Sequence, residues 1–197
     1  MNMKFIQAAE NNKTEILRIF KKIVKSGDIV LEIGSGTGQH IVYFASKMKD
    51  VVWQPSEKGD NITSVEQRVN KAKLVNLNKP WVVDIGCPPN SNQLFNFVYA
   101  SNVLQCISLK ELGHFMFTAR KFLGNRGILV IYGPFLREGK YASVGDSLLD
   151  NHLKIRNTEI GIKNLGFVRE TAKSHGFEFL DTVSMEKNNL ILLFTAV

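Results

Sequence analysis

The sequence lacks the features that define several classes of protein. Only two of its 197 residues are cysteine, Cys87 and Cys106, and no His/Cys/carboxylate cluster with metal-ligand spacing accompanies them. No apolar run approaches the ~20 residues that cross a membrane, and the polar start is too short for a signal peptide. We therefore expect no disulfide framework, no metal centre and no membrane association, and we predict a reduced, cytoplasmic setting.

Two phosphate-binding motifs are also missing, although the chain carries a glycine-rich stretch. Glycines stand at the alternate positions Gly34, Gly36 and Gly38, but the dinucleotide pattern G-x-G-x-x-G requires glycine where Gln39 stands. A P-loop needs Gly-Lys-Ser/Thr, which is absent, and no Ser-His-Asp spacing indicates hydrolysis. A nucleotide-dependent oxidoreductase is therefore a disfavoured alternative.

The charge balance leaves a second alternative open. A net charge of +7 and a pI near 9.4 are compatible with an acidic partner such as nucleic acid. However, the basic residues are scattered, and no run is longer than Lys21-Lys22 or Arg120-Lys121. A solvated surface explains them better, so nucleic acid is possible but not favoured. The length and 44% hydrophobic content predict one domain, 1–197.

The rest of the chain is organised around the stretch from Asp28 to His40. The β-branched residues of 29–33 predict a strand buried on both faces, and 39–48 changes to helical spacing. Alternating glycines between them allow a ligand close to bare peptide groups and to the N–H groups of the helix. The carboxylate of Glu32 beneath this loop would repel pyrophosphate but favour a cation, so an adenosine ligand that bears an amino acid fits best.

Acidic residues follow the next two predicted strands. Pro55 ends a short strand at 51–54, and Glu57, with Asp60 in reserve, lies where an acid can accept hydrogen bonds from ribose hydroxyls. A third strand at 81–85 carries Asp84 at its carboxyl end, where open parallel sheets bind ligands. The alternative for Asp84 is that it caps the following turn.

The remaining pattern predicts an α/β fold in which five helix-linked strands precede an antiparallel pair. An N-cap at Thr14 indicates that the first helix begins there, and a turn is predicted at 124–127. Further strands are predicted at 95–102, 128–132, 177–183 and 190–194, and helices at 14–24, 147–157 and 163–175, together with a helix whose buried face carries Leu112, Phe115, Met116, Ala119 and Phe122.

The segment from Leu31 to Gly38, LEIGSGTG, resembles throughout the first motif of class I S-adenosylmethionine-dependent methyltransferases. The resemblance implies a seven-stranded Rossmann-like sheet, mostly parallel with an antiparallel final strand and helices on both faces. It implies S-adenosyl-L-methionine as cofactor, S-adenosyl-L-homocysteine as product, and contact between Asp84 and the adenine amino group. The cofactor-binding residues expected are Glu32, Gly34, Ser35, Gly36, Gly38, Glu57, Asp84, Ile85 and Asn102.

Nearly the whole chain resembles a smaller group of methyltransferases, which includes methyltransferase-like protein 26. Glu57 replaces the aspartate of that group, and Gln105 stands where the group usually has histidine. The segments that carry the resemblance are Glu10 to Lys13, Leu31 to His40, Trp53 to Glu57, Asn102 to Gln105, Tyr132 to Phe135 and Met185 to Asn189.

The methyl acceptor is expected at the carboxyl ends of the fourth and fifth strands. The catalytic residues predicted are Asn102, Tyr132 and Asp150. The aperiodic stretch 136–147 is a candidate lid, and the further polar contacts expected are Tyr141, Arg156 and Asn188 or Asn189. The alternative is that Tyr132 and Phe135 are core aromatics, and that Asp150 pairs with Lys154 one helical turn later.

The function predicted from the sequence is methyl transfer from S-adenosylmethionine to an acceptor that is most simply a small molecule. Orientation and exclusion of water would provide the catalysis. The alternative outside enzymes is a non-catalytic S-adenosylmethionine-binding or scaffold protein, because Gln105 replaces a histidine and because a fold alone does not fix function.

Overall fold

A computed structural model describes residues 4–197. In this part of the chain, seven strands form one sheet in the order β3-β2-β1-β4-β5-β7-β6, with six α-helices. The strands are β1 (Ile29–Ile33), β2 (Val52–Glu57), β3 (Trp81–Val82), β4 (Phe95–Ser101), β5 (Leu123–Gly133), β6 (Phe177–Ser184) and β7 (Leu190–Ala196). The helices are α1 (Gln7–Ile23), α2 (Gln39–Lys47), α3 (Ile62–Ala72), α4 (Leu109–Phe122), α5 (Val144–Arg156) and α6 (Leu165–Ser174).

The pairing within the sheet confirms the predicted fold class. The strand β1 pairs in parallel with β2 and β4, and β2 pairs in parallel with β3. The final strand, β7, runs antiparallel to both of its neighbours, β5 and β6. The fold is therefore the seven-stranded, mostly parallel Rossmann-like sheet that the sequence predicted.

The chain divides into two compact units, Met1–Tyr99 and Ala100–Val197, which we call the N-terminal and C-terminal units. The prediction of a single domain stays a prediction. Across residues 4–197, every helix is too short or too polar to cross a membrane.

Aromatic packing fixes the helices of the N-terminal unit to its strands. Phe20 of α1 meets Tyr99 of β4 edge-to-face, with ring centroids 5.0 Å apart, and lies 5.6 Å from Trp53 of β2. Phe44 of α2 packs 5.4 Å from Phe20. All four rings are buried, and burial of such a side chain stabilises the fold by about 1.5–3 kcal/mol.

The first helix begins earlier than predicted. It starts at Gln7, and Thr14 lies inside it rather than at its N-cap, so that prediction was wrong. The reason is tertiary: the side chain of Gln39 accepts a hydrogen bond from the backbone N–H of Ile6 at 2.6 Å, and this fixes the chain where α1 begins. A bond from Gln7 to Asn11 at 2.8 Å supports the first turn.

The second strand continues through Pro55, which was predicted to end it. Pro55 lies opposite Glu32 of β1. On the side of β2 away from β1, Trp53 donates to the Asn76 carbonyl and accepts the N–H of Asn78. Backbone N–H groups of a strand alternate between its two edges, so residue 55 faces the same edge as residue 53, and that is where Pro55 lacks an N–H. Since β3 is paired with β2 only from Ser56 onward, proline removes no ladder hydrogen bond here.

Several element ends differ from the sequence prediction. The strand β3 has only two residues because the chain turns at Asp84, whereas β5 extends through the predicted turn at 124–127, where Arg126 keeps a left-handed φ of 61°. The predicted face of α4 is confirmed as buried, and the final antiparallel pair is confirmed with slightly longer strands.

A buried carboxylate organises the C-terminal unit. The side chain of Asp150, on α5, is 0% exposed. It accepts hydrogen bonds from the Tyr141 hydroxyl, the Ile162 backbone N–H and the Lys154 ammonium, each at 2.6 Å. Gly161, with φ 145°, packs directly against this carboxylate, so a Cβ there would collide with Oδ1. Asp150 therefore holds the segments before and after α5.

The stretch 136–147, predicted as a lid, begins with a tight turn. Arg137 and Lys140 exchange backbone hydrogen bonds of 3.0 Å, and Glu138 and Gly139 between them have φ values of 52° and 77°. Two left-handed residues are characteristic of a type I′ turn. Ser143 then caps α5 by accepting the N–H of Asp146 at 3.1 Å.

We expect Gly161→Ala to lower the free energy of unfolding by about 2–3 kcal/mol, because alanine is strained at this φ and its methyl group would displace the Asp150 carboxylate. Gly113→Ala is the matched control. A Cβ at Gly113, inside α4, would lie 3.6 Å from the His175 ring, an ordinary contact, so this variant should be unchanged or up to about 1 kcal/mol more stable. Urea unfolding of both variants measures the difference, and equal stability would show that Asp150 does not constrain residue 161.

Candidate active site

The glycine loop of the N-terminal unit has left-handed backbone conformations. Gly34 has φ 75° and Gly36 has φ 58°, values that side chains with a Cβ adopt at a cost. At Gly38, which precedes α2, a Cβ would also lie only 3.1 Å from Cγ2 of Val65. The left-handed loop that the glycines predict is therefore present, and contact between its peptide groups and a ligand stays a prediction.

Glu57 lies against this loop. Its Oε2 accepts the backbone N–H of Gly36 at 2.6 Å, and its Oε1 accepts the N–H of Lys58 at 2.9 Å. The residue is 9% exposed. Because each carboxylate oxygen has two lone pairs, one acceptor position remains on each oxygen. The structure thus leaves Glu57 able to accept two further hydrogen bonds, and its contact with a ribose stays a prediction.

Ser35 connects the first half of the loop to β2. Its backbone N–H donates to the carbonyl of Ser56 at 2.8 Å, and its hydroxyl accepts the N–H of Ser56 at 3.2 Å. The Ser56 hydroxyl in turn donates to the backbone carbonyl of Glu32 at 2.7 Å. These bonds hold the loop at a fixed distance from the end of β2.

Glu32 is a buried carboxyl group with an unsatisfied oxygen. It is 2% exposed, and its Oε2 has no hydrogen-bond partner among the described residues. Burial is the main cause that raises the pKa of Glu32 to about 7, and the negative charge of Glu57 adds to it, while a hydrogen bond with Ser35 opposes it. Such a group is stabilised by a cation that reaches it.

Gln39 holds the N-terminal segment beside the loop. Its Oε1 accepts the N–H of Ile6 at 2.6 Å and the hydroxyl of Thr37 at 3.0 Å, and its Nε2 donates to Glu10 at 3.2 Å. Glu10 also pairs with Lys13. The sequence prediction used Gln39 only as the residue that breaks the dinucleotide pattern and missed this contact.

Arg68 of α3 also joins the N-terminal segment to the glycine loop. Its Nε donates to the carbonyl of Thr37 and its guanidinium NH2 group to the carbonyl of Lys4, both at 2.6 Å. Burial lowers the pKa of Arg68 from its usual value. No local pattern in the sequence marks Arg68, because both acceptors are backbone carbonyls far away in the chain.

His40 is a buried neutral residue that joins helices and strand. Its Nε2 lies 3.1 Å from the carbonyl of Ala9 and 2.7 Å from Oδ1 of Asn12, and its Nδ1 lies 3.2 Å from the Tyr99 hydroxyl. Burial lowers its pKa to about 4. His40 is therefore uncharged at neutral pH and acts as a structural link.

Asp84 closes its own turn. Its Oδ1 accepts the N–H of Gly86 at 2.8 Å, its backbone carbonyl accepts the N–H of Cys87 at 3.0 Å, and its side chain is about half exposed. This is the capping alternative that the sequence left open. The contact of Asp84 and neighbouring Ile85 with adenine stays a prediction.

The C-terminal unit contains all three predicted catalytic residues. The backbone N–H of Asn102 donates to the carbonyl of Tyr132 at 2.9 Å, so these two are adjacent. The Tyr132 side chain is buried. Asp150 pairs with Lys154, which is the alternative that the sequence left open.

The bonds of Asp150 also decide its charge. Burial alone would raise the pKa of Asp150, but hydrogen bonds from Lys154, Tyr141 and the backbone N–H of Ile162 together lower it. The same contact raises the pKa of the Tyr141 hydroxyl, which donates to the carboxylate. Asp150 is therefore an ionised acceptor at neutral pH rather than a proton donor.

The other polar residues expected near an acceptor are engaged elsewhere or exposed. The Asn188 carbonyl accepts a bond from Arg137 at 3.4 Å, and the Asn189 amide donates to the Glu186 carbonyl at 3.2 Å. Arg156 is exposed at the end of α5. Between residues 4 and 197, no group of three or more His, Cys, Asp or Glu side chains is arranged to hold a metal ion.

Solved structures of methyltransferases share this fold at low sequence identity. An O-methyltransferase family 2 protein from Planctomyces limnophilus, in complex with apigenin, is 14% identical, with a TM-score of 0.79 over 97% of this chain and 60% of that one. Human N-acetylserotonin methyltransferase, in complex with S-adenosylmethionine, is 12% identical, with a TM-score of 0.82 over 96% of this chain and 53% of that one.

An O-methyltransferase family protein from Burkholderia thailandensis is 9% identical, with a TM-score of 0.82 over 96% of this chain and 57% of that one. The chain thus spans somewhat more than half the length of these structures, which at this identity show the methyltransferase fold alone. A family model matches nearly the whole sequence, residues 3–196. The chain belongs to the family described as "protein of unknown function (DUF938)".

Proposed function

We propose that this protein is an S-adenosylmethionine-dependent methyltransferase that acts on a small molecule. The observation that carries the proposal is the buried carboxyl group of Glu32, whose free oxygen lies in the strand that leads into a left-handed glycine loop. The fold supports it, because structures that share the fold include one with S-adenosylmethionine and one with apigenin. The finer resemblance to the methyltransferase-like protein 26 group, the single domain and the cytoplasmic setting belong to the same proposal.

The residues of the N-terminal unit fit this cofactor. Glu32 would meet the ammonium group, since its free buried oxygen needs a donor. Glu57 would accept the ribose hydroxyls with its remaining lone pairs, and Asp84 and Ile85 would meet the adenine. The backbone of the loop would face the ligand at Gly34, Ser35, Gly36 and Gly38. When bound, S-adenosylmethionine supplies a methyl group carried by a sulfonium.

The residues of the C-terminal unit would hold the methyl acceptor. Asn102 would orient it through an uncharged carboxamide, and its role in cofactor contact belongs to the same proposal. Tyr132 would exclude water, as a buried ring at the end of β5. Asp150, with its oxygens already engaged, would act by positioning Tyr141 and residues 161–162 rather than by contact. Catalysis by such groups depends on orientation and desolvation.

A non-catalytic S-adenosylmethionine-binding protein is the second candidate. It is favoured by Gln105, a residue that cannot accept a proton at neutral pH, at a position where the related group has histidine. Incubation with methyl-labelled S-adenosylmethionine and fractions of a cell extract separates the two candidates. We expect the labelled methyl group to appear in the small-molecule fraction. If the protein binds S-adenosylmethionine but labels nothing in any fraction, the non-catalytic binding protein is favoured.

Gly36→Val should abolish binding of S-adenosylhomocysteine, measured by calorimetry. A Cβ at Gly36 would meet no protein atom within 4 Å, so the valine would project into the space reserved for the ligand. Gly27→Val is the matched control, because Gly27 also has a positive φ (87°) and open space around it but lies outside the loop. Both variants should lose similar stability, while only Gly36→Val loses binding. An intact protein that binds no S-adenosylhomocysteine would contradict the proposed function.

Glu32 should make cofactor binding depend on pH. With a pKa near 7 in the free protein and a lower pKa beside the ligand ammonium, Glu32 must release a proton on binding. Affinity for S-adenosylhomocysteine should therefore rise about tenfold from pH 6 to pH 8, with most of the rise below pH 7. Calorimetry in buffers of different ionisation enthalpy measures the released proton directly.

Glu32→Gln provides the control for this linkage. The variant keeps the size of the side chain but has no proton to release, so its affinity should be weaker and independent of pH over the same range. His40 does not interfere, because its pKa of about 4 lies below the range. A pH dependence that persists in Glu32→Gln would assign the proton to another group.

A further inference from the structure

Two carboxamide side chains lie together just after β4 in the C-terminal unit. Asn102 has a left-handed φ of 55°, and its backbone N–H is held by the carbonyl of Tyr132. Gln105, which is 7% exposed, donates from Nε2 to Oδ1 of Asn102 at 3.2 Å. Each amide thus fixes the orientation of the other. We call Asn102 and Gln105 the amide pair.

The amide pair keeps one donor group, an NH2, and one acceptor group, a carbonyl oxygen, unused. Within residues 4–197, neither the Nδ2 group of Asn102 nor Oε1 of Gln105 has a hydrogen-bond partner. Both residues are at least partly buried, yet neither atom is among the polar atoms that are both fully buried and without a partner, so both atoms keep some contact with solvent. Exchanging the oxygen and nitrogen ends of both amides leaves the same result, one donor and one acceptor.

Surrounding backbone holds the amide pair in place. The backbone carbonyl of Gln105 accepts the N–H of Gly161 at 2.9 Å. The N–H of the next residue, Ile162, donates to the Asp150 carboxylate. On the other side lies Gly133, where a Cβ would be 3.4 Å from Oε1 of Gln105. The pair is therefore presented by a rigid frame, which reduces the entropic cost of binding.

Of the charged residues near the amide pair, Lys163 is already engaged, whereas Arg156 is exposed. Lys163 is buried, and its ammonium donates to the carbonyls of Ile107 at 2.6 Å and Gly161 at 2.8 Å. The thiol of Cys106 donates to the backbone carbonyl of Asn102 at 3.5 Å. The free positions of the pair therefore belong to two uncharged groups, which present no charge of their own to a ligand.

We propose that Asn102 and Gln105 recognise an uncharged amide or lactam edge of the methyl acceptor, and that Gln105 determines this specificity. The inference rests on the proposed function. A ligand carboxylate would accept a hydrogen bond from Asn102 but would be repelled by the oxygen of Gln105. A ligand cation would donate to the oxygen of Gln105 but would offer no acceptor to the Asn102 NH2 group. Only a group that donates one hydrogen bond and accepts one satisfies both, and a buried polar group left unpaired weakens binding strongly.

The test uses three small probes that share one ring: benzamide, benzoate and benzamidine. Each is titrated into ¹⁵N-labelled protein with and without S-adenosylhomocysteine, and the side-chain NH2 resonances of Asn102 and Gln105 are followed. We expect benzamide to shift both resonances in a saturable manner, and the acceptor-only benzoate and the cationic benzamidine to bind at least tenfold more weakly.

Two substitutions at Gln105 predict different outcomes. Gln105→Leu keeps the volume but removes both polar atoms, so benzamide affinity should fall at least tenfold. In Gln105→Glu, Asn102 should turn its NH2 group toward the new carboxylate, which leaves oxygen atoms at both free positions. The protein should then bind the cationic benzamidine more tightly than benzamide, which reverses the original preference. A purely structural role for Gln105 would not produce this reversal. Gln93→Glu, in an exposed loop of the other unit, controls for the added charge.

Asn102→Gly is the variant that keeps the test decisive if the substitutions at Gln105 unfold the protein. Glycine accepts the positive φ of residue 102 without strain, so the fold should persist while benzamide binding falls. Equal affinity for the three probes, or unchanged benzamide affinity in Gln105→Leu or Asn102→Gly, would overturn the inference. Calorimetry of the unsubstituted protein with S-adenosylhomocysteine separates the two claims. A failure to bind there contradicts the proposed function, whereas the preference for benzamide is measured independently of it.

Discussion

The parallel pairing of β1 with β2 is the constraint on which the N-terminal unit depends. The register places Glu32 opposite Pro55 and Ile33 opposite Ser56, so β2 ends beside the glycine loop. Glu57 therefore meets the N–H of Gly36, and a hydrogen bond of this charged kind is worth about 1.5–3 kcal/mol. The same register leaves Glu32 beneath the loop, without a donor for its second oxygen. Strand register thus decides which carboxyl group has hydrogen-bond donors and which keeps an oxygen without one.

The polar start of α1 is helical because tertiary contacts use its polar groups. Its residues are bound by Gln39 and His40 of α2, and the aromatic cluster around Phe20 fixes the other end of the helix. Buried polar groups need such partners, since an unpaired one costs about 1–3 kcal/mol. The conformation of residues 4–12 therefore does not follow from local propensity, and their position beside the loop depends on Gln39, His40 and Arg68, which lie many residues later in the chain.

The parts of the fold that the sequence predicted are those with a strong local signal. The apolar strand at 29–33, the glycine loop and the buried face of α4 all follow from periodicity or from glycine at positive φ. The errors arose where a distant partner decides the outcome. Thr14 looks like an N-cap until Gln39 is seen to fix Ile6, and Pro55 looks like a strand end until the short β3 is seen to leave its side of β2 unpaired.

The same limit applies to the candidate site. The glycines and Glu57 form a recognisable spacing, and the structure brings them together. The sequence offers Asp150 as an acid near a candidate lid and leaves its pairing with Lys154 as the alternative. The structure shows that pairing and adds two bonds that the sequence does not indicate, from the Tyr141 hydroxyl and the Ile162 N–H. Gln105 was noticed only as a departure from the histidine of the related group. Arg68 gave no usable signal, because both of its acceptors are backbone carbonyls far away along the chain.

Both units keep buried polar atoms that have no partner among the described residues. In the C-terminal unit, where the buried carboxylate of Asp150 is fully engaged, these atoms are Oγ of Ser101, Oδ2 of Asp146 and Nε of Arg169, and in the N-terminal unit they are Nε1 of Trp53 and Oε2 of Glu32. Of the two carboxyl oxygens in this set, that of Glu32 belongs to the strand that leads into the glycine loop. Because burial raises the pKa of Glu32 to about 7, its carboxyl group holds a proton up to near neutral pH and does not become an unpaired buried charge. Under the proposed function, a cationic ligand would remove that cost by replacing the proton. The requirement for positive charge in the ligand would then lie with Glu32, whereas the amide pair would select an uncharged part of the methyl acceptor.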